Sequence, residues 1–372
     1  MRRGSSVILV LFSFLLACGV ADPNAPTSVP DATSDAQESP APNVNPTPSP
    51  GQVPPAATPA STTSGPITLN AVGDLMLERD LIALMDQNGS GYPYAAVRSI
   101  LADADITIGN MEGTFTGRGT QASKFYTFRT PPRHAKGLAE AGFDVVSLGN
   151  NHAMDYGADG LTDTLAALDA AGVKHSGADI NAAAARKPVI LKTKGTKIAF
   201  LSYNAVLEAT FATDTSAGVA YADEAVIRAD VVAAKQVADI VIVSVHAGVE
   251  YQDAPTAEQR RLDRAAIDAG ASILLGHHAH VFQGWEVYGD GVIVYGLGNF
   301  VFDLDTDDLA TLGPRPFQTA VMRFELSPEG DVLGVNARPV FIDPLENRPR
   351  PATGDRLAEI EARIRTLNAG LR

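Results

Sequence analysis

From Ile67 onward, short runs of apolar and β-branched residues alternate with longer stretches of helical periodicity, the pattern of an α/β domain. Strands are predicted at Ile67–Val72, Asp105–Ile108, Asp144–Leu148, Lys197–Ser202, Asp239–Val245, Ala271–Leu275 and Val292–Tyr295. Helices are predicted at Tyr94–Ala102, Pro132–Ala141, Ala158–Ala171, Asp223–Ala238 and Thr256–Ala269. Gly142, Gly172 and Gly270 follow three of them, where a left-handed cap is expected. Thr319–Leu326 and Val332–Phe341 form a predicted hairpin across Pro328–Asp331, and residues 346–372 form a tail with a helix over Asp355–Leu367.

The first 66 residues have a different character. Arg2 and Arg3 precede an apolar run from Val7 to Leu16, too short for a mature membrane span. Leu15-Leu16-Ala17-Cys18 closes it and resembles a bacterial lipobox, making residues 1–17 a lipoprotein signal peptide and Cys18 the lipidated residue. An ordinary signal peptide with an incidental cysteine is the alternative. Cys18 is the chain's only cysteine, so no internal disulfide is available to support export. Ala21–Pro66 holds 12 of the 24 prolines and no Lys or Arg. Such a segment cannot bury enough surface to offset its ordering entropy. Residues 18–66 are therefore expected to be a disordered tether reaching about 100 Å, with a folded domain at residues 67–345.

The formal charge of −14 becomes −16 once the two signal-peptide arginines are gone, which argues against nucleic acid and against a broad polyanion-binding surface. One strip differs. No acidic residue lies between Glu112 and Glu140, while Arg118, Lys124, Arg129, Arg133 and Lys136 all do. It is either a solvated loop or a basic rim that attracts an anionic substrate.

Candidate chemistry collects where the predicted strands end. Asp74 follows the first, Asn110 and Glu112 the second, Asn150-Asn151-His152 and Asp155 the third. His246 ends the strand from Asp239, and His278 and His280 lie just past Leu275. Chance would scatter such residues over both ends, whereas open α/β sheets build sites at one. Taken singly the segments are ambiguous, since an aspartate after a strand is commonly a helix cap. Together they suit a two-metal hydrolase centre. Glu112 offers a carboxylate whose burial beside cations costs little, and Asn151 a neutral oxygen. His152 is suited to proton donation, with Asp155 fixing its tautomer. Mixed imidazole and oxygen donors favour Mn²⁺, Fe²⁺ or Zn²⁺ over Ca²⁺. His277 is expected outside the ligand set, and His134 and His175 on the surface.

Gly73-Asp74-Leu-Met76, Asn110-Met-Glu112, Phe128-Arg-Thr-Pro-Pro132, Asn150-Asn-His-Ala-Met-Asp-Tyr-Gly157, His246-Ala-Gly-Val-Glu-Tyr251, His278-Ala-His-Val281 and Gly298-Asn-Phe-Val-Phe-Asp303 resemble the CapA family of poly-γ-glutamate capsule synthesis proteins, within the calcineurin-like metallophosphoesterases. The resemblance runs from Ile67 to Asp343. It implies a four-layer αββα sandwich and a dinuclear site with Asp74, Glu112, Asn151, His246, His278 and His280 as metal ligands, Asn110 in support and His152 as general acid. Met76 stands where typical metallophosphoesterases carry a histidine, Asn-x-Glu replaces their Gly-Asp, and Ala247 and Ala279 replace a tryptophan and a proline common in the family.

The implied protein is a lipid-anchored, extracytoplasmic metallohydrolase of capsule or envelope-polymer synthesis, cleaving a phosphoester or a γ-glutamyl amide and working with capsule synthesis or export subunits. Arg118, Lys124, Arg129 and Arg133 would bind its anionic substrate. A non-catalytic envelope protein that binds or exports an anionic polymer, and a fold merely stapled by metal, are the alternatives.

Overall fold

The computed structural model describes residues 65–371. The expected signal peptide, Cys18 and nearly all of the tether lie outside them. Two sheets form the body. The first contains β1 (Ile67–Leu75), β2 (Ile106–Met111), β3 (Val145–Ser147) and β4 (Lys174–Ser176), all parallel. The second contains β5 (Val189–Thr193), β6 (Thr196–Asn204), β7 (Ile240–His246), β8 (Ile273–His277), β9 (Phe282–Tyr288) and β10 (Gly291–Leu297), in the order β9-β10-β8-β7-β6-β5. The chain then returns to the first sheet with β11 (Asn299–Val301), β12 (Gln318–Leu326), β13 (Val332–Asp343) and β14 (Arg348–Pro351), giving β14-β13-β12-β1-β2-β3-β4 with β11 also paired to β1.

Strand periodicity explains the layering. Leu69, Ala71, Ile108, Met322 and Phe324 of the first sheet pack between the layers against Phe200, Ile242, Ile273, Leu275 and Val294 of the second. The alternate residues Ala199, Leu201, Val241 and Val243 face outward onto α3 (Glu224–Ala234) and α4 (Ala257–Asp268), through Ile227, Val231, Leu262 and Ala266. The other outer layer carries α1 (Asp80–Asn88) and α2 (Gly157–Ala171), with Leu81, Leu161 and Leu168 against Met111, Val146 and Leu148. This is the expected αββα sandwich. Burying each large aliphatic side chain contributes about 1.5–3 kcal/mol.

Three departures from the pattern-based expectation have physical causes. The helix expected at Tyr94–Ala102 is a 3₁₀ turn at Tyr92–Tyr94 followed by a single turn at Arg98–Leu101, with Pro93 opening the first. The terminal residues are not a separate tail: β14 pairs with β13, and α5 (Gly354–Gly370) packs Ile364 and Leu367 onto the core between the sheets. His134, expected at the surface, is buried, with its ring between Ser90 Oγ at 3.1 Å and Asp86 Oδ1 at 3.1 Å. His175 is half-buried beside Asp169. Gly142 and Gly172 take the left-handed cap conformation, and Gly270 has φ +108° one residue past its helix cap. Among the described residues no helix is long and apolar enough to cross a membrane.

Candidate metal centre

The strand registers bring the chemistry together. Asp74 of β1 lies opposite Asn110 of β2, and His246 of β7 opposite His277 of β8. Asp74 reaches its place because Gly73 lets β1 approach the turn before β11; a Cβ there would lie 1.8 Å from Gly298 O. The Asp74 amide in turn donates to Gly298 O at 2.9 Å. Across the molecule, Ser147 Oγ of the first sheet meets Ser202 Oγ of the second at 2.6 Å, and Gly149 N donates to that same Ser202 hydroxyl at 3.1 Å.

Two carboxylates sit at the bottom of the site with no exposure. Asp74 Oδ1 accepts from Asn110 Nδ2 at 2.9 Å and lies 3.1 Å from His277 Nδ1, while Oδ2 has no hydrogen-bond partner. Burial pushes the Asp74 carboxyl up, but the His277 bond and the nearby His280, whose Nδ1 is 3.5 Å from Oδ2, more than offset it and hold the group well below the usual carboxylate range. Glu112 follows β2 directly, and both its oxygens lack any partner. Burial, and then the charge of Asp74, raise its carboxyl well above normal.

Imidazoles line the opposite wall. His280 Nδ1 lies 2.9 Å from Asn299 Oδ1, and its Nε2 is 3.9 Å from Glu112 Oε1. Burial opposes its protonation, but Glu112 and Asp74 override that and raise it to about 10. His278, with an unpartnered Nδ1, is pushed down to about 3 by burial, and His246 is likewise lowered by burial and then by His278. Asn151 Oδ1 meets His246 Nε2 at 2.9 Å across the seam between the sheets. His278 and His280 have φ of +89° and +56°, a backbone cost of about 1–3 kcal/mol each that clusters at functional sites.

His152 stands beside this group, its Nε2 3.8 Å from Glu112 Oε1 and its Nδ1 2.8 Å from Asp155 Oδ2. The Phe128 ring stacks on it at 4.3 Å, and burial lowers its pKa. Asp155 is itself held by the Phe128 amide and by Lys124 Nζ at 2.6 Å.

The donors expected from the sequence thus converge, with two qualifications. The Asn110 amide is spent within the protein, its oxygen on Asn150 Nδ2 at 3.0 Å and its nitrogen on Asp74. The basic strip does not form one surface either. Arg118 pairs with Asp159 and Asp163, Arg133 with Asp86, Lys124 with Asp155, and Arg129 lies over the Tyr156 ring. Sequence reasoning gave no role to Glu250, Asn299 or Asn150, although each belongs to a motif segment; His277, expected outside the ligand set, hydrogen-bonds the Asp74 carboxylate.

These residues fit divalent metal. Unpartnered buried polar atoms cost about 1–3 kcal/mol each, and here Asp74 Oδ2, both Glu112 oxygens, His277 Nε2 and His278 Nδ1 are such atoms around one site. Donor atoms of Asp74, Glu112 and His280 lie within 4.8 Å of one another, as do those of Glu250, His278 and His280.

Fold and site together define an αββα protein with a buried carboxylate–imidazole centre between its sheets. The chain belongs to the bacterial capsule synthesis protein family PGA_cap, whose model matches residues 68–304 and so spans every donor named above. It is 36% identical over 289 residues to the PGA biosynthesis protein CapA of Bacillus subtilis (strain 168), covering 76% of each chain. It is 32% identical over 296 residues to the capsule biosynthesis protein CapA of Bacillus anthracis, covering 77% of this chain and 70% of that one. The CapA resemblance carried by the motifs is thereby established. Among solved structures, the 5'-nucleotidase precursor from Thermus thermophilus superposes with a TM-score of 0.47 at 13% identity, over 82% of this chain and 59% of that one.

Proposed function

We propose that the protein is a dinuclear metal-dependent hydrolase of the metallophosphoesterase type, acting on a phosphoester or γ-glutamyl bond in capsule or envelope-polymer synthesis. The observation that carries this is the set of unpartnered buried donors beside a histidine–aspartate pair. Asp74, Glu112 and His280 would hold one divalent ion, and Asn151, His246 and His278 the other, with Mn²⁺, Fe²⁺ or Zn²⁺ suited to such donors. Bound there, the metals supply a low-pKa water and positive charge for oxygens that become anionic. Asp155 fixes the His152 ring with Nδ1 toward the carboxylate, so proton transfer falls to Nε2, the atom facing the centre. Phe128 covers the ring face and limits the approach of water.

The pathway assignment rests on the likeness to the PGA and capsule biosynthesis proteins of the two Bacillus species. A lipid anchor at Cys18, an extracytoplasmic location and capsule synthesis or export partners belong to the same proposal, and the chain's negative charge disfavours nucleic acid as a partner. The alternative of a passive polymer-binding protein draws less support, because Arg118, Lys124, Arg129 and Arg133 are engaged with the protein's own side chains.

The test is elemental analysis of the purified protein, followed by assay on phosphoesters and γ-glutamyl polymers. About two equivalents of metal are expected, with hydrolysis that His152→Ala lowers by about 10²–10⁴-fold at unchanged metal content. Absence of metal even after reconstitution, or hydrolysis unaffected by His152→Ala, overturns the mechanism.

A further inference from the structure

Each ion of the two-metal reading has three protein donors, and β1 offers no fourth. Met76, two residues beyond Asp74, is fully buried in an apolar cluster with Phe128, Phe302 and Phe317. Any fourth protein donor has to come from another element.

The His280 ring shows where. Asn299 Nδ2 donates to Pro316 O at 3.2 Å, which turns its Oδ1 toward His280 Nδ1 at 2.9 Å. An imidazole with its Nδ1 proton given to an amide oxygen keeps the Nε2 lone pair for a metal. That Nε2 faces two carboxylates: Glu112 Oε1 at 3.9 Å from below and Glu250 Oε1 at 4.0 Å from the mouth. Two donors on one cation, each bonded at about 2.0–2.2 Å, lie no more than about 4.4 Å apart. Both pairs fall inside that limit.

Backbone geometry holds Glu250 there. Its neighbour Tyr251 has φ +59°, a left-handed conformation for a non-glycine residue, and donates its amide to Ala279 O at 2.8 Å. The turn carrying Glu250 is thus tied to the residue between His278 and His280. Among the described residues His280 is the one positively ionisable group within 4.0 Å of the Glu250 carboxylate, whose side chain is 52% exposed. A surface glutamate held over two imidazoles with no arginine or lysine to pair with has the makings of a ligand.

We propose that Glu250 is a metal ligand, closing the centre from the solvent side together with His278 and His280, whose donor atoms lie within 4.8 Å of its carboxylate. This rests on the two-metal reading above and extends its ligand set.

The test is titration of the metal-stripped full-length protein with Mn²⁺ by calorimetry, paired with elemental analysis after dialysis. Wild type should bind about two equivalents. Glu250→Gln should keep one and bind the other at least about 10-fold more weakly, the smallest effect expected at a metal site. The melting midpoint of the apoprotein should not move, since the residue is half-exposed. Should Glu250→Gln not fold, Glu250→Asp, one methylene short, carries the same expectation of weaker binding. Two tight Mn²⁺ sites in the variant would overturn the inference and leave the hydrolase reading standing. Wild type that binds no Mn²⁺ would overturn both.

Discussion

Lys124 Nζ lies 2.6 Å from Asp155 Oδ1, while the other oxygen of that carboxylate takes His152 Nδ1 at 2.8 Å. The lysine also donates to Asn151 O at 2.7 Å. A residue of the basic strip thus serves the histidine–aspartate pair from behind. Asp155 is fully buried and the Lys124 side chain only 15% exposed, so Lys124→Met leaves that carboxylate without its one lysine or arginine partner among the described residues. The expected loss is about 3 kcal/mol of stability, with hydrolysis falling further than Arg118→Met lowers it. Urea unfolding and the hydrolysis assay check the two parts.

Glu112 sets stability against function. With both oxygens unpartnered beside Asp74, the metal-free protein keeps a carboxyl it would be more stable without. Glu112→Gln is expected to raise apoprotein stability near neutral pH, because it removes a carboxyl whose burial beside Asp74 disfavours its charge, and to reduce the gain that added Mn²⁺ gives wild type. Thermal melting with and without the ion reads both effects. A variant less stable than wild type without metal would contradict the account of the carboxylate.

Gly73 fixes the depth of Asp74. A methyl group there meets Gly298 O at 1.8 Å, so β1 and the turn before β11 must separate. Gly73→Ala is expected to cost about 3 kcal/mol or more and to weaken metal binding although no donor has changed. Denaturant midpoint together with Mn²⁺ affinity tests this.

Asp263 gives a pH signature remote from the metal ligands. On α4 it is buried, one of its oxygens has no partner, and burial raises its pKa well above the normal value. A carboxyl raised in the folded state holds its proton more tightly there than in the unfolded chain. Its contribution is therefore complete below about pH 4 and is lost as pH rises through the folded-state pKa. Asp263→Asn should melt higher than wild type near neutral pH, with the difference shrinking toward pH 4. An unchanged difference across that range would exclude Asp263 as the source.

Much of this was legible in the chain because strands buried on both faces write themselves as β-branched runs, and their ends fixed Asp74, Glu112, Asn151, His246, His278 and His280 on one side. The three-residue β4 is too short for an alternation to register, and in α1 the apolar residues form one unbroken run, Leu81–Met85, that shows no helical period. Glu250 was missed because a glutamate four residues past a histidine looks like any surface residue until a third segment, through Ala279 O, holds its turn in place. The basic strip misled for the converse reason: Asp159 and Asp163, which neutralise Arg118, lie more than 40 residues later, on α2.

Ser147 and Ser202 join the two sheets next to the site, and the two sheets share the donors between them. Asp74, Glu112 and Asn151 ride on the first, His246, His278 and His280 on the second. The thickness of the apolar layer between them is therefore a gauge for the gap the ions must fill. Adding bulk at Ala71, wholly enclosed in that layer, would retune metal preference from a distance, so the hydrophobic interior belongs to the coordination chemistry as much as any ligand does.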